Sequence, residues 1–514
     1  MKKGIVSAGH EETAGAAAII LQEGGNAFDA ALGALLAACV TEPVLSSLGG
    51  GGFMLALPTA SRPVLYDFFV HTPGRKLARE DTDFFPIMAD FGATQQQFHI
   101  GLGAIACPGV VRGMFAIQSD LGTLPMARII EPACKLAISG TIINHQQAYI
   151  LSVVEHIFKS SAESHALYGS ARHSGHLLGE GEIFTNREFA DVLDALAREG
   201  EDLFYRGEIA ARIDQDCAEG GGHLRRRDLE TYSLSRRSPL QMTYGDQQLL
   251  SNPPPSCGGL LIAFALQLLE GTNLPARDFG SKEHLQIVAQ AMDMTDQARL
   301  ASGLNENTKT DLLLPEFVQS YKKRFSGHPA AHRGTTHINV ANAEGNVASL
   351  SISNGEGCAY LVPGTGIMLN NMLGEQDVVP TGFHNWPTHT RMSSMMAPSA
   401  LCDPNGVVTA MGSGGSNRIR SAILQVLINL SAFSMPLQRA VDSPRLHLQG
   451  GVLNVEPGFA EGTVAALAKI YPDSKIWADR NMFFGGVHAV RYDPTGRTTD
   501  GAGDPRRGGV AIAV

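Results

Sequence analysis

Apolar and polar residues alternate from Thr335 to Ala341, with Thr336, Ile338 and Val340 on one side and Thr335, His337 and Asn339 on the other. The alternation resumes from Val347 to Ser353, so two half-buried strands are predicted. Between them, Asn342-Ala343-Glu344-Gly345-Asn346 fits a three-residue hairpin loop with Gly345 where a positive φ is needed. With Asn342 opposite Asn346, Ile338 faces Leu350 and Val340 faces Ala348, while His337 faces Ser351 and Thr335 faces Ser353. A two-residue Glu344-Gly345 loop would set Ile338 and Val340 against serines, which argues against it. The favoured register puts the Ser353 hydroxyl across the ladder from Thr335.

Near the start of the chain the period changes. Glu12 to Glu23 is helical in pattern and is ended by Gly24-Gly25-Asn26; Ala27 to Val40 predicts a second helix, buried on most faces. After Glu42-Pro43 come Gly49 to Gly52 and the apolar Phe53-Met54-Leu55. Four glycines before a strand allow close approach of another backbone or of a ligand, or form a flexible turn or a phosphate cradle. Dinucleotide and Walker patterns are both missing here, so a nucleotide reading is weak. From Ala106 to Asp293 the pattern predicts helices alternating with loops, including a rigid turn at Asn252 to Gly259 that opens the apolar helix Leu260 to Leu269. From Leu304 to Arg333 polar residues such as Asn305, Lys309, Lys322 and Arg324 predict a solvated tether.

Composition narrows the class of molecule. The 514 residues are 44% hydrophobic and only 18% charged, with 57 Gly, which fits a compact, loop-rich, enzyme-like body. The net charge is -10, and the one basic cluster, Arg225-Arg226-Arg227, is followed directly by Asp228 and Glu230, so no nucleic-acid footprint is seen. A small-molecule amide or peptide-like partner is expected instead. Seven cysteines without a CxxC pair or a close Cys/His grouping indicate neither a disulfide framework nor a metal site. The Ala14–Leu21 run is too short for a signal core, and no apolar stretch of about 20 residues would span a membrane. A cytoplasmic location is expected, with no organic cofactor.

Candidate chemistry lies at and beyond the hairpin. A cut between Gly334 and Thr335 would give one residue both a nucleophilic Oγ and a free α-amine, a minimal catalyst. Ser393-Ser394, two adjacent hydroxyls in a non-periodic stretch, reads by itself first as a turn. Gly412-Ser413-Gly414-Gly415-Ser416-Asn417 leads into a helix ending near Leu430; such a loop suits an oxyanion, binds phosphate, or simply caps the helix through Ser416. Gly503 to Gly509 is expected to close a sheet edge or tether a strand through Asp504 and Arg506.

In order along the chain, these residues resemble the gamma-glutamyltranspeptidase family of N-terminal-nucleophile hydrolases. The resemblance runs through Gly24 to Ala31, Gly49 to Leu55, Pro108-Gly109, Pro253 to Gly259, Gly334 to His337, Gly364 to Ile367 with Asn370-Asn371, Ser393-Ser394, Gly412 to Ile419 and Gly503 to Gly509. It implies an α/β (α+β) fold, a four-layer αββα sandwich. One precursor would cut itself into residues 1–334 and 335–514, which stay associated as a heterodimer, with further oligomerisation left open. It also implies Thr335 as nucleophile with its amine as general base, Ser353 as its support, Gly414 and Gly415 as the oxyanion hole, and Ser393 and Ser394 as holders of the acyl group.

Two departures bear on the substrate. Where glutamyl-specific members carry a carboxylate-binding arginine, this chain reads Asp67-Phe68-Phe69-Val70, and an aromatic ring cannot replace a bidentate guanidinium. The family's acidic glutamyl-binding residue is matched loosely by Glu375, and a shortened loop after Ser353 leaves Asn354 and Glu356 as pocket candidates. Three readings follow: a γ-glutamyl hydrolase/transferase using a donor such as glutathione; an acylase of the same family, cephalosporin-acylase-like, with a non-glutamyl donor; and an uncut, inactive binding protein, which the intact Thr335, Ser353, Gly414 and Gly415 oppose.

Overall fold

In the computed structural model, residues 3–90, 95–302, 310–314, 317–318, 335–376, 378–379 and 382–514 are described. Gly334 and most of the proposed tether lie outside them. Two antiparallel sheets face each other. The first has seven strands in the order Val510–Ala513, Gly4–Ala8, Thr336–Asn342, Val347–Ser353, Gly51–Leu57, Val64–Phe68, Ser235–Arg237. The second has six: Thr498–Ala502, Gly486–Asp493, Val408–Gly414, Ser399–Cys402, Gln247–Ser251, Leu240–Tyr244. Helices Glu11–Gln22 and Ala27–Thr41 cover the outer face of the first sheet, and Gly258–Leu269 and Arg418–Ser431 that of the second, which gives the expected four layers.

The central hairpin adopts the predicted register: Ile338 pairs with Leu350, Val340 with Ala348 and His337 with Ser351. Gly345 has φ +89, and Asn342 and Asn346 close the loop through backbone and side-chain hydrogen bonds. The apolar face, Ile338, Val340, Leu350 and Ile352, is fully buried in one cluster with the helix Ala27–Thr41, all of whose residues are buried. Burial of each such side chain contributes roughly 1.5–3 kcal/mol. Asn26 starts that helix with a capping box through Asp29.

The polar face meets the second sheet. His337 bonds Ser351 Oγ at 2.8 Å through Nδ1 and Asn339 Oδ1 at 3.0 Å through Nε2, while Asn339 Nδ2 donates to the His488 carbonyl at 2.9 Å. Because the Asn339 oxygen can only accept, Nε2 carries the proton and Nδ1 accepts from Ser351. Burial pushes the His337 pKa down to about 3, so the ring is neutral. The strand Val408–Gly414 lies directly on this ring at Gly412, where a Cβ would come within 2.2 Å of it.

The structure corrects the reading in two places. Between Ala106 and Asp293 it contains five short strands where only helices and loops were expected: Thr141–Ile142 and Ile183–Phe184 pair with each other, Ser235–Arg237 and Leu240–Tyr244 edge the two main sheets, and Gln247–Ser251 lies one strand in; at two to five residues they are short for a period-two signal. Gly412-Ser413-Gly414, read as loop, ends a strand instead, paired residue by residue with Val487 and its neighbours. The Gly49–Gly52 run serves close backbone approach: Cβ atoms at Gly50 and Gly52 would lie 2.3 and 2.4 Å from the carbonyl oxygens of Ser353 and Ser351. Among the described residues no helix is long and apolar enough to cross a membrane.

Candidate active site

Thr335 stands immediately before the strand Thr336–Asn342 and is 4% exposed. Its carbonyl accepts from Arg507 Nη1 at 3.2 Å, and the next residue's hydroxyl, Thr336 Oγ1, donates to Glu42 at 2.8 Å. Across the hairpin, Ser353 ends the partner strand and its Oγ accepts from the Gly355 amide at 3.1 Å. Thr335 and Ser353 line one narrow cavity of about 30 Å³, with Glu375, Ser394 and Ser416 as its other polar members. The rest of the lining is apolar: Phe69, Met372, Val378, Met395, Met396 and Ile419. A wider cleft of about 800 Å³ between Asp191 and Thr365 contains none of the predicted site residues.

The second sheet brings the glycine turn to the same place. A Cβ on Gly414 would stand 2.0 Å from the Thr335 carbonyl oxygen, so only glycine permits this approach. Gly415 (φ +118) and Ser416 (φ +51) then turn the chain into the helix Arg418–Ser431. Ser416 does not cap it; the cap position is Asn417, and no side-chain cap bond forms.

The other predicted site residues divide. Ser394 reaches the cavity, and its Oγ accepts from the Met396 amide at 3.0 Å. Ser393 instead donates to the Pro255 carbonyl at 2.9 Å and touches Cys257 Sγ at 3.2 Å. Glu375 is in the lining, whereas Asn354 and Glu356 are buried beside it in the turn after Ser353 without lining it. The two polar side-chain atoms of Asn354 have no hydrogen-bond partner among the described residues. Phe69 is 1% exposed and stacks on Phe53 with centroids 5.4 Å apart. Behind it the buried Arg391 bonds the Phe69 carbonyl, Tyr232 Oη at 2.9 Å, the Ser233 carbonyl at 2.7 Å and Asp67 at 3.3 Å, so this cation is already committed.

Sequence reasoning missed Glu42, Arg507 and the methionines of the lining. Arg507 sits in the stretch that was read for Asp504 and Arg506; both of those are buried as an ion pair at 3.1 Å, and Asp504 Oδ2 also accepts from the Val487 amide, so the expected tether exists. Burial alone would raise the Asp504 carboxyl, but Arg445 and Arg506 outweigh it and hold it down at about 2.

Two facing antiparallel sheets between helical layers, with a hydroxyl residue heading a central strand, define the architecture of N-terminal-nucleophile hydrolases. The comparisons agree: the profile of the gamma-glutamyltranspeptidase family matches residues 13–514. The chain is 29% identical to the Acylase ACY 1 proenzyme of Pseudomonas sp. (strain V22), over 100% of this chain and 94% of that protein. It is 27% identical to the glutathione hydrolase proenzyme of Bacillus subtilis (strain 168), over 100% and 92%. Its fold superimposes on the crystal structure of cephalosporin acylase from Bacillus halodurans with a TM-score of 0.84 at 23% identity, covering 99% of this chain and 96% of that one. This chain belongs to the gamma-glutamyltranspeptidase family. It is, with that family, an autoprocessed amide hydrolase/acyltransferase of the threonine-nucleophile type, assembled from two self-cleaved fragments.

Proposed function

We propose that Thr335 is the nucleophile, freed by scission after Gly334 as the first residue of a 335–514 fragment, and that the donor is an amide with a largely apolar acyl group. The Thr335 Oγ attacks the amide carbonyl carbon while the α-amine takes the hydroxyl proton. The oxyanion forms against the Gly414–Gly415 turn. The C–N bond then breaks, the amine leaves with that proton, and an acyl ester remains on Oγ. Water, or an acceptor amine, attacks the ester and gives its proton to the α-amine; the C–Oγ bond then breaks, the α-amine passes that proton to the leaving Oγ, and the acyl product departs from a restored Thr335.

The observation that carries the donor assignment is the cavity lining: Phe69 occupies the place where the family resemblance leads one to expect an arginine, and Met372, Met395, Met396 and Ile419 surround it. Methionines adapt to irregular apolar groups. Ser394 and Glu375 are left to orient the polar end of the acyl group, with Ser393, Asn354 and Glu356 supporting that wall from behind. The relatives named acylase favour this reading. A γ-glutamyl donor such as glutathione is the second reading, favoured by Glu375 in the lining and by the relatives named glutathione hydrolase. Seven free thiols fit a reducing compartment such as the cytoplasm. Comparing kcat/KM for γ-glutamyl-, glutaryl- and simple acyl-anilides tests the assignment: an acyl or glutaryl compound is expected to be best, and a clear γ-glutamyl preference would overturn it.

A further inference from the structure

Arg507 joins the two halves of the site. It ends the short turn Pro505–Arg507, whose cap Asp504 accepts from the Arg506 amide at 3.0 Å, and its side chain is buried. Nη1 donates to the Thr335 carbonyl, and Cβ atoms built at Gly414 and Gly415 would lie 2.9 Å from Nη1 and 3.4 Å from Nη2, so the guanidinium lies against that turn. Nε, also buried, has no hydrogen-bond partner among the described residues. On the other side of the Thr335-Thr336 peptide, the buried Glu42 accepts from Thr336 Oγ1 at 2.8 Å and from Thr13 Oγ1 at 3.1 Å.

We propose that Arg507 and Glu42 are positioning residues: together they grip the first two residues of the freed strand, fix Thr335 Oγ against the Gly414–Gly415 turn, and set the charge felt by the new α-amine. This rests on Thr335 being the nucleophile, as proposed above. A new chain end frays unless it is tied down, and these contacts hold Thr335 and Thr336 at the start of the ladder. The two contacts add to the restraint on the freed end. They also oppose each other electrostatically. The amine lies within roughly 6 Å of the guanidinium by standard backbone dimensions, where a cation disfavours its protonated form and an anion favours it. The titratable groups facing Arg507 are Glu42, Asp504 and His488; Glu375 faces Thr335 from the cavity lining. Burial lowers the Arg507 pKa to about 10, with Asp504 and Glu42 acting against that, so it stays charged near neutrality. Burial raises Glu42 to about 7 against the Thr336 and Thr13 hydrogen bonds and the Arg507 charge, so it becomes fully anionic only as pH rises past neutrality. His488 is pushed down to about 4 by burial and is neutral there.

The test measures scission by intact mass, and kcat, KM and the pH profile of kcat/KM on the cut enzyme, for Arg507→Met, Arg507→Lys and Glu42→Gln. Arg507→Met is expected to lose roughly 10²-fold in kcat with little change in KM, because misplacing a nucleophile by about 1 Å costs that much. Without the cation the amine pKa rises, so the acid limb should move up by roughly one pH unit. Arg507→Lys restores the charge but not the fork, so its limb should return while kcat recovers only in part. Glu42→Gln keeps an acceptor for Thr336 but removes the anion that Glu42 becomes above about pH 7, so its limb, set by an amine with a reference pKa near ~8, should move down. Wild-type kcat and limb in Arg507→Met overturn the proposal. If Arg507→Met does not accumulate or stays uncut, Glu42→Gln decides alone, and an unmoved limb overturns it. A Thr335→Ala control separates the two failures: if that variant keeps activity, the nucleophile assignment itself is wrong, whatever the Arg507 variants do.

Discussion

The α-carbon of Gly414 faces the carbonyl of Thr335 so closely that a methyl group there would stand 2.0 Å from the oxygen. Two sheets therefore meet at the proposed nucleophile with no space for a side chain. Gly414→Ala is expected to fold with a loss of about 1–3 kcal/mol, the usual cost of overpacking, and to lose activity well beyond that because Thr335 is displaced. Urea unfolding together with turnover checks this. A variant with normal stability and normal kcat would show that the close approach is unimportant.

Thr335→Ala is expected to remain a single chain and to be inactive, since it lacks the Oγ needed for both scission and acyl transfer. Thr335→Ser, which keeps the hydroxyl, should be cut and active at a reduced rate. Intact mass and an anilide assay read both. Cutting of the alanine variant at the same bond would exclude self-cleavage by this side chain.

Phe69→Arg tests specificity. The guanidinium would enter a cavity that already holds Glu375, and would offer a glutamyl α-carboxylate the bidentate partner that the wild type lacks there. The ratio of γ-glutamyl- to acyl-anilide kcat/KM is expected to rise on the order of tenfold or more. An unchanged ratio would mean that Phe69 does not select the acyl group.

Buried histidines predict acid sensitivity. Burial lowers the pKa of His337 to about 3 and of His488 to about 4, and takes His447 well below its ordinary value. In the unfolded chain these rings titrate near ~6.5, so below that pH the unfolded state binds protons that the folded state refuses. Their contribution is complete above that value and is lost as pH falls toward the folded values, by at most roughly 1.4 kcal/mol per pH unit for each ring. Asp504, held at about 2, adds a loss at still lower pH. Urea midpoints of uncut Thr335→Ala protein between neutral pH and about pH 4.5 should fall steeply; a flat profile would contradict the neutral, buried assignment.

The hairpin and its register were legible because period-two alternation, one turn glycine and a buried face all select the same pairing. The helices Glu11–Gln22 and Ala27–Thr41 were legible from their glycine and asparagine boundaries. The strand Leu240–Tyr244 carries alternation at Leu240, Met242 and Tyr244, but five residues beside a turn are too few to stand out. The contacts of Glu42 with Thr336 and of Arg507 with Thr335 span 294 and 172 residues, and no local pattern encodes such pairings. Phe69 drew notice only through the family resemblance; its stacking on Phe53 has no local signature.

In the first sheet, strands from the two ends of the chain are interleaved: Gly4–Ala8 runs between Val510–Ala513 and Thr336–Asn342, and Gly51–Leu57 is paired with Val347–Ser353. Scission ahead of Thr335 would leave these ladders intact, so the products are interwoven rather than merely docked. Neither piece would keep a complete sheet without the other. The broken backbone is thus a permanent gain in chemistry at almost no cost in architecture.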